Sequence, residues 1–186
     1  MKKGNLDVKK IREMMLLNPG KMWGITSIRP KTGKSLISVL IADELKKIRK
    51  DVLVVSFKEL SKDKSYTLKG LDDAIEFFSN SNQMEYLYIN GLEYIEDKIL
   101  NDRFFDLMEL CKRQYDYVIV DMKAIEETGF TKLMCKMCDE TLIVIAKDKE
   151  DGIATGKYVQ HLQEHGIRVS GVILNEYGKR KSILKM

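Results

Sequence analysis

Residues 21–35 read KMWGITSIRPKTGKS, and the fold turns on them. The first seven, KMWGITS, form a short apolar strand. Residues 35–49, SLISVLIADELKKIR, carry an apolar helical face and a basic last turn that suits the negative end of the helix dipole. Between the two stands IRPKTGKS. The phosphate-binding pattern G-x-x-x-x-G-K-[ST] has its second half in Gly33, Lys34 and Ser35, with Ile28 where the first glycine belongs. Backbone N–H groups at the start of a helix must wrap a phosphate, where the dipole favours negative charge. Gly33 lets the backbone come close, Lys34 reaches the outer phosphates, and the Ser35 hydroxyl ligates Mg²⁺. Pro30, Lys31 and Thr32 complete the loop and belong with these three among the expected nucleotide contacts. A turn with a capping serine would also read GKS, but a position after an apolar strand and before a helix is the setting the motif requires.

Outward from the loop, strand-like and helix-like segments alternate. Residues 52–56 (VLVVS), 86–89, 117–121 (YVIVD), 141–146 (TLIVIA) and 169–175 (VSGVILN) read as strands. Residues 70–79, 99–113, 128–137 and 152–164 read as helices. The strands are apolar without alternation, as expected when both faces are covered. The expected fold is α/β: a three-layer α/β/α P-loop NTPase with a mostly parallel central sheet. Its ligand would lie at the carboxyl ends of the strands. Asp121 closes a buried strand, so it reads as the acid that holds Mg²⁺ with Ser35. ATP and Mg²⁺ are the expected cofactors.

Composition sets the frame. The chain has 186 residues, 44% hydrophobic and 32% charged, with a net charge of +4. That fits one domain spanning 1–186, with loosely held ends at about 1–10 and 177–186. Wholesale disorder is excluded, and three cysteines and two prolines exclude a disulfide scaffold or Pro-rich chain. The apolar runs fall short of the ~18 residues of a membrane span, and the basic start lacks the apolar stretch of a secretory signal, so a cytoplasmic location is expected. No aromatic-interleaved basic patch points to nucleic acid.

With these motifs in order, the chain resembles the cytosolic ATP-binding domain of bacterial tyrosine kinases that control capsular and exopolysaccharide synthesis, within the wider class of partitioning and septum-placing P-loop ATPases. The resemblance spans nearly the whole chain. The family's T-S-x-x-P-G-E-G-K-[ST] is matched by Thr26, Ser27, Pro30, Gly33, Lys34 and Ser35, and the family often lacks the first P-loop glycine. Its K-G-L-x-D segment is matched by Lys69, Gly70, Leu71 and Asp73. Its Y-D-Y-V-I-I-D run is matched by Tyr115 to Asp121, and its G-I-R-V-x-G-V-V-L-N ending by Gly166 to Asn175. The resemblance implies that Asn175 meets the adenine edge. It also implies a membrane-embedded polysaccharide co-polymerase or activator as partner, placing the chain at the inner face of the membrane through that partner, and assembly into a homo-oligomer.

The departures matter as much. The family's second strand ends in V-L-L-I-D-A-D, and its first Asp helps manage Mg²⁺ and activate the attacking hydroxyl. Here Ser56, Phe57 and Lys58 follow residues 52–55. Met122, Lys123 and Ala124 stand where the family has T-P-P after the strand-ending Asp. The tyrosine-rich tail is absent, with Tyr177 the only tyrosine beyond Tyr158. The ring-forming E-x-x-R-x-x-R patch is blurred in residues 7–13. Glu59, Asp63 and Glu126 are the acids nearest to replacing the missing one. Three readings follow. One is a kinase-like regulator with weak or lost phosphotransfer, in which Lys34, Asp121 and Arg29 do the catalytic work. Another is a non-catalytic nucleotide-sensing adaptor. The third is a partitioning-type ATPase that dimerises on ATP, with Arg29 at its signature lysine position.

Three weaker signals have bland readings. Cys135 and Cys138 form a C-x-x-C in a helical stretch, read as plain helix cysteines because further ligands are lacking. His161 and His165, four apart at a helix end, read as a solvated terminus. Lys179, Arg180, Lys181 and Lys185 form a small basic tail, read as a solvated end.

Overall fold

The computed structural model describes residues 7–58, 75–80, 84–90, 102–146 and 152–175. The elements in chain order are α1 (Val8–Leu17), β1 (Met22–Thr26), α2 (Lys34–Lys46), β2 (Val52–Lys58), β3 (Ile75–Ser79), β4 (Glu85–Asn90), α3 (Asp102–Gln114), β5 (Tyr117–Asp121), α4 (Gly129–Met137), β6 (Glu140–Ala146), α5 (Gly152–Glu164) and β7 (Val169–Asn175). The strands form one seven-stranded sheet in the order β3-β4-β2-β5-β1-β6-β7. Every neighbouring pair is parallel except β3 with β4.

Successive residues of a strand face opposite sides of the sheet, and each side has its own core. Val52 and Val54 of β2, Trp23 and Ile25 of β1 and Ile119 of β5 pack with Met15 of α1 and with Ile37, Ile41 and Leu45 of α2. Leu53, Val55 and Phe57 face the other way, with Val118 and Val120, onto Phe104 and Met108 of α3, Met134 of α4 and Leu162 of α5. A strand wedged between two helical layers has no solvent face for polar residues, which is why the central strands are continuous apolar runs. The three layers are thus α1 and α2, the sheet, and α3 to α5.

Two expectations are corrected. Residues 75–79, read as part of a short helix, are strand β3, antiparallel to β4; residues 70–74 lie outside the described residues. IEFFS is rich in residues that suit a pleated surface, and pairing sets Phe78 opposite Tyr86, their rings 6.3 Å apart. Cross-strand pairing of this kind outweighs the short helical pattern read over residues 70–79. Residues 8–10, read as a loose end, open helix α1. Its Met15 is fully buried, and its Arg12 Nη1 meets Glu44 Oε2 of α2 at 3.2 Å. The tail 177–186 and the whole Lys69–Asp73 match lie outside the described residues.

Candidate nucleotide site

β1 lies between β5 and β6 and is buried along its whole length. It ends at Thr26, and the chain turns through residues 27–33 into α2, whose first helical residue is Lys34. Gly33 caps the helix with φ 87°, and Lys31 has φ 60°. Both lie in the left-handed region, where glycine is at ease and a lysine is not. Gly33 is required for space as well, because a Cβ there would sit 2.3 Å from the Asn175 side-chain nitrogen. The first-turn N–H groups of α2 have no acceptor within the helix, which makes this end a cradle for an anion.

Parallel strands bring their carboxyl ends to one edge. Ile25 and Ser56 are both register partners of Asp121, so the ends of β1, β2 and β5 lie side by side. Asp121 is on the face of the sheet that α2 covers. Burial pushes its carboxyl above the ordinary Asp value, while the Ser35 hydroxyl, the Lys34 charge and the Ser56 and Ser38 hydroxyls pull the other way. Its Oδ1 atom is nevertheless buried without a hydrogen-bond partner. A shielded carboxylate oxygen with no hydrogen-bond partner, near a lysine and a helix-start serine, has the chemistry that suits a hard divalent cation. The donor set therefore fits a magnesium nucleotide: Lys34 and the α2 N-terminus for phosphates, Ser35 and Asp121 for the ion.

The loop is strapped from below. Thr26 Oγ1 donates to the Lys123 carbonyl at 2.7 Å, and the Ile125 N–H donates to the Ser27 carbonyl at 2.8 Å. Ser27 Oγ donates to the Arg29 carbonyl at 2.6 Å. The segment after β5, which departs from the T-P-P pattern, thus holds the start of the loop through its backbone. From the far edge, Asn175 Nδ2 donates to the Thr32 carbonyl at 2.7 Å.

Of the sequence-derived candidates, Thr32, Gly33, Lys34, Ser35, Asp121 and Asn175 converge around α2's start. Arg29, Pro30 and Lys31 lie on the exposed outer turn of the loop. Ser38 was missed. Its hydroxyl donates to the Lys34 carbonyl at 3.0 Å and also faces Asp121. Its spacing of three from Ser35 was the available signal. Ser56, treated as a lost acid, is the register partner of Asp121, and its hydroxyl pulls the Asp121 carboxyl down. Glu126 is exposed, with its N–H bonded to the Ile28 carbonyl and its charge felt at Tyr158. Glu59 and Asp63 lie outside the described residues.

The weaker candidates sit elsewhere. Cys135 and Cys138 are buried, unbridged thiols. Burial pushes Cys135 up to about 12 and Cys138 well above the ordinary range, so neither is a ready thiolate. His161 and His165 are exposed at the end of α5, their rings 4.3 Å apart. Among the described residues, no group of three or more His, Cys, Asp or Glu is placed to hold a metal, and no helix is long and apolar enough to cross a membrane.

No family model matches the chain. The tyrosine-protein kinase CpsD of Streptococcus pneumoniae serotype 4 is 24% identical over 177 residues, covering 84% of this chain and 76% of the kinase. The chain is a homologue of that kinase. The kinase domain of the Escherichia coli tyrosine kinase ETK superposes with a TM-score of 0.71 at 20% identity, over 96% of this chain and 76% of that domain. The septum site-determining protein MinD of Pyrococcus horikoshii, solved with Mg-ADP, gives a TM-score of 0.59 at 21% identity, over 87% of this chain and 72% of MinD. The fold is therefore the α/β P-loop NTPase fold, shared with bacterial tyrosine kinase domains and MinD-type ATPases.

Proposed function

We propose that this chain binds Mg-ATP through residues 28–35 and acts as a kinase-like regulator of capsular or exopolysaccharide synthesis, with phosphotransfer weak or lost. The homology to CpsD supports the biological setting. The observation that carries the reading is the contrast at the sheet edge. Asp121 keeps a buried, unsatisfied oxygen beside Lys34 and Ser35, whereas its register partner on β2 is a serine.

In this reading Lys34 and the α2 N–H groups hold the outer phosphates, and Ser35 and Asp121 hold the ion. Bound Mg²⁺ neutralises phosphate charge. Arg29, on the exposed turn, and Lys31 add positive charge where it develops during transfer. Phosphoryl transfer depends on positioning and electrostatics, and single parts can be worth ~10³-fold. Ser56 can hydrogen-bond a nucleophile but brings no negative charge to orient or deprotonate it. Binding therefore survives where turnover does not. A membrane-embedded polysaccharide co-polymerase or activator is the proposed partner, and its engagement would report the nucleotide state.

The deciding experiment measures Mg-ATP affinity and turnover on the same preparation. Calorimetric binding with turnover far below ~1 s⁻¹, the low end for kinases, supports the reading. No binding at millimolar ATP rejects it. Turnover at or above ~1 s⁻¹ rejects the catalytic defect. A second reading, a partitioning-type ATPase that dimerises on ATP, draws on Arg29 at the signature lysine position. Sedimentation with and without ATP separates the two.

A further inference from the structure

The loop that receives the phosphates carries Lys31 and Gly33 at positive φ, on either side of Thr32. A lysine in the left-handed region persists only where its surroundings hold it there. The residue between them is almost wholly buried, and its carbonyl accepts the Asn175 Nδ2 hydrogen bond at 2.7 Å across 143 positions of sequence. Asn175 is itself buried. It is the last residue of β7, paired with Ala146 at the end of a six-pair register with β6. A carbonyl can only accept, so the amide must present its NH₂ to the loop. The absence of a Cβ at Gly33 is what lets that NH₂ approach.

We propose that Asn175 is a positioning residue that latches the P-loop in its phosphate-receiving shape. The edge strand β7 then sets the affinity for the phosphate end of the ligand. This places Asn175 at the phosphate end, whereas the sequence resemblance assigned it to the adenine edge. The proposal rests on the Mg-ATP reading, and the test below separates failure of the one from failure of the other.

The test uses the full chain and Asn175→Asp, which keeps the shape but faces the Thr32 carbonyl with an acceptor, together with Asn175→Ala. Each protein is titrated with Mg-ATP and with Mg-tripolyphosphate, which has phosphates but no base. Amide exchange of residues 31–36 is followed without ligand. A latch predicts that both affinities fall by the same factor, about tenfold for one buried hydrogen bond. It also predicts faster exchange in residues 31–36 with exchange in β1 and β5 unchanged. A fall for Mg-ATP alone, with tripolyphosphate binding intact, would show that Asn175 reads the base and overturn the proposal. Unchanged affinities with unchanged exchange would overturn it too. If wild type binds neither ligand, the Mg-ATP reading fails, and exchange in the two variants still decides the latch. If Asn175→Asp does not fold, Asn175→Ala carries both measurements.

Discussion

The carboxyl ends of β5 and β2 lie next to each other and do different chemistry. β5 closes on Asp121, held among Ser35, Ser38 and Ser56 with one oxygen left unsatisfied. β2 delivers Ser56 to the same edge, in register with Asp121, where its hydroxyl favours the charged carboxylate. One strand end offers a ligand and the other only supports it. In the function proposed above, gripping a magnesium nucleotide and moving its phosphate are separable demands, and these two strand ends serve the first more fully than the second.

Removing the grip should have the largest effect. Lys34→Ala deletes a charged donor to the phosphates, a loss of about 3 kcal/mol, and should weaken Mg-ATP binding about 100-fold by calorimetry. Equal affinity in variant and wild type would mean that the loop is not the nucleotide site. Restoring the missing half is next. Ser56→Asp sets a second carboxylate beside Asp121 and should raise ATP turnover about tenfold, the low end of a catalytic-group effect, with affinity changing less than rate. A variant that folds, binds Mg-ATP and shows no gain would remove Ser56 as the limiting defect.

The smallest effect tests the electrostatics of Asp121. Its carboxyl is raised in the folded protein above the ordinary value of 3.8, chiefly by burial. The folded state therefore binds its proton more tightly than the unfolded chain does, which favours folding at low pH and is lost as pH rises through the raised value. At neutral pH Asp121→Asn should melt higher than wild type. The advantage should vanish towards pH 3. The same variant should lose the Mg²⁺ dependence of nucleotide binding. A lower melting temperature at neutral pH would show that the serine hydroxyls outweigh the desolvation.

How much of this was readable follows from the range of the forces. The limits of β5, α5 and β7 agree with the sequence reading because apolar runs and turn residues mark them locally. The placement of Gly33, Lys34 and Ser35 at the start of α2 was legible because a strand, a short loop and a helix follow one another in consecutive residues. Asp121 was legible because strand ends share an edge. β3 was not, since Phe78 becomes a strand residue through Tyr86, on a different segment. α1 was hidden by its charges, and Met15 and Arg12 find their partners only after α2 is in place. Ser38 looks like any helical serine until the loop geometry turns it to Asp121. The Asn175 contact with Thr32 bridges two ends of the chain that no local pattern connects.

The position of β1 has a consequence for synthesis. The strand that launches the phosphate loop is made before both its neighbours, which come roughly a hundred residues later, Val118 opposite Met22 and Glu140 opposite Trp23. Non-local pairings form only after the intervening chain exists. On the ribosome the loop residues therefore emerge long before either neighbour of β1, and the Asn175 contact waits for β7, the last strand of the sheet in chain order. Nascent chains stalled before residue 175 would carry the whole phosphate motif without its fastening, so nucleotide capture would mark a chain whose sheet is finished.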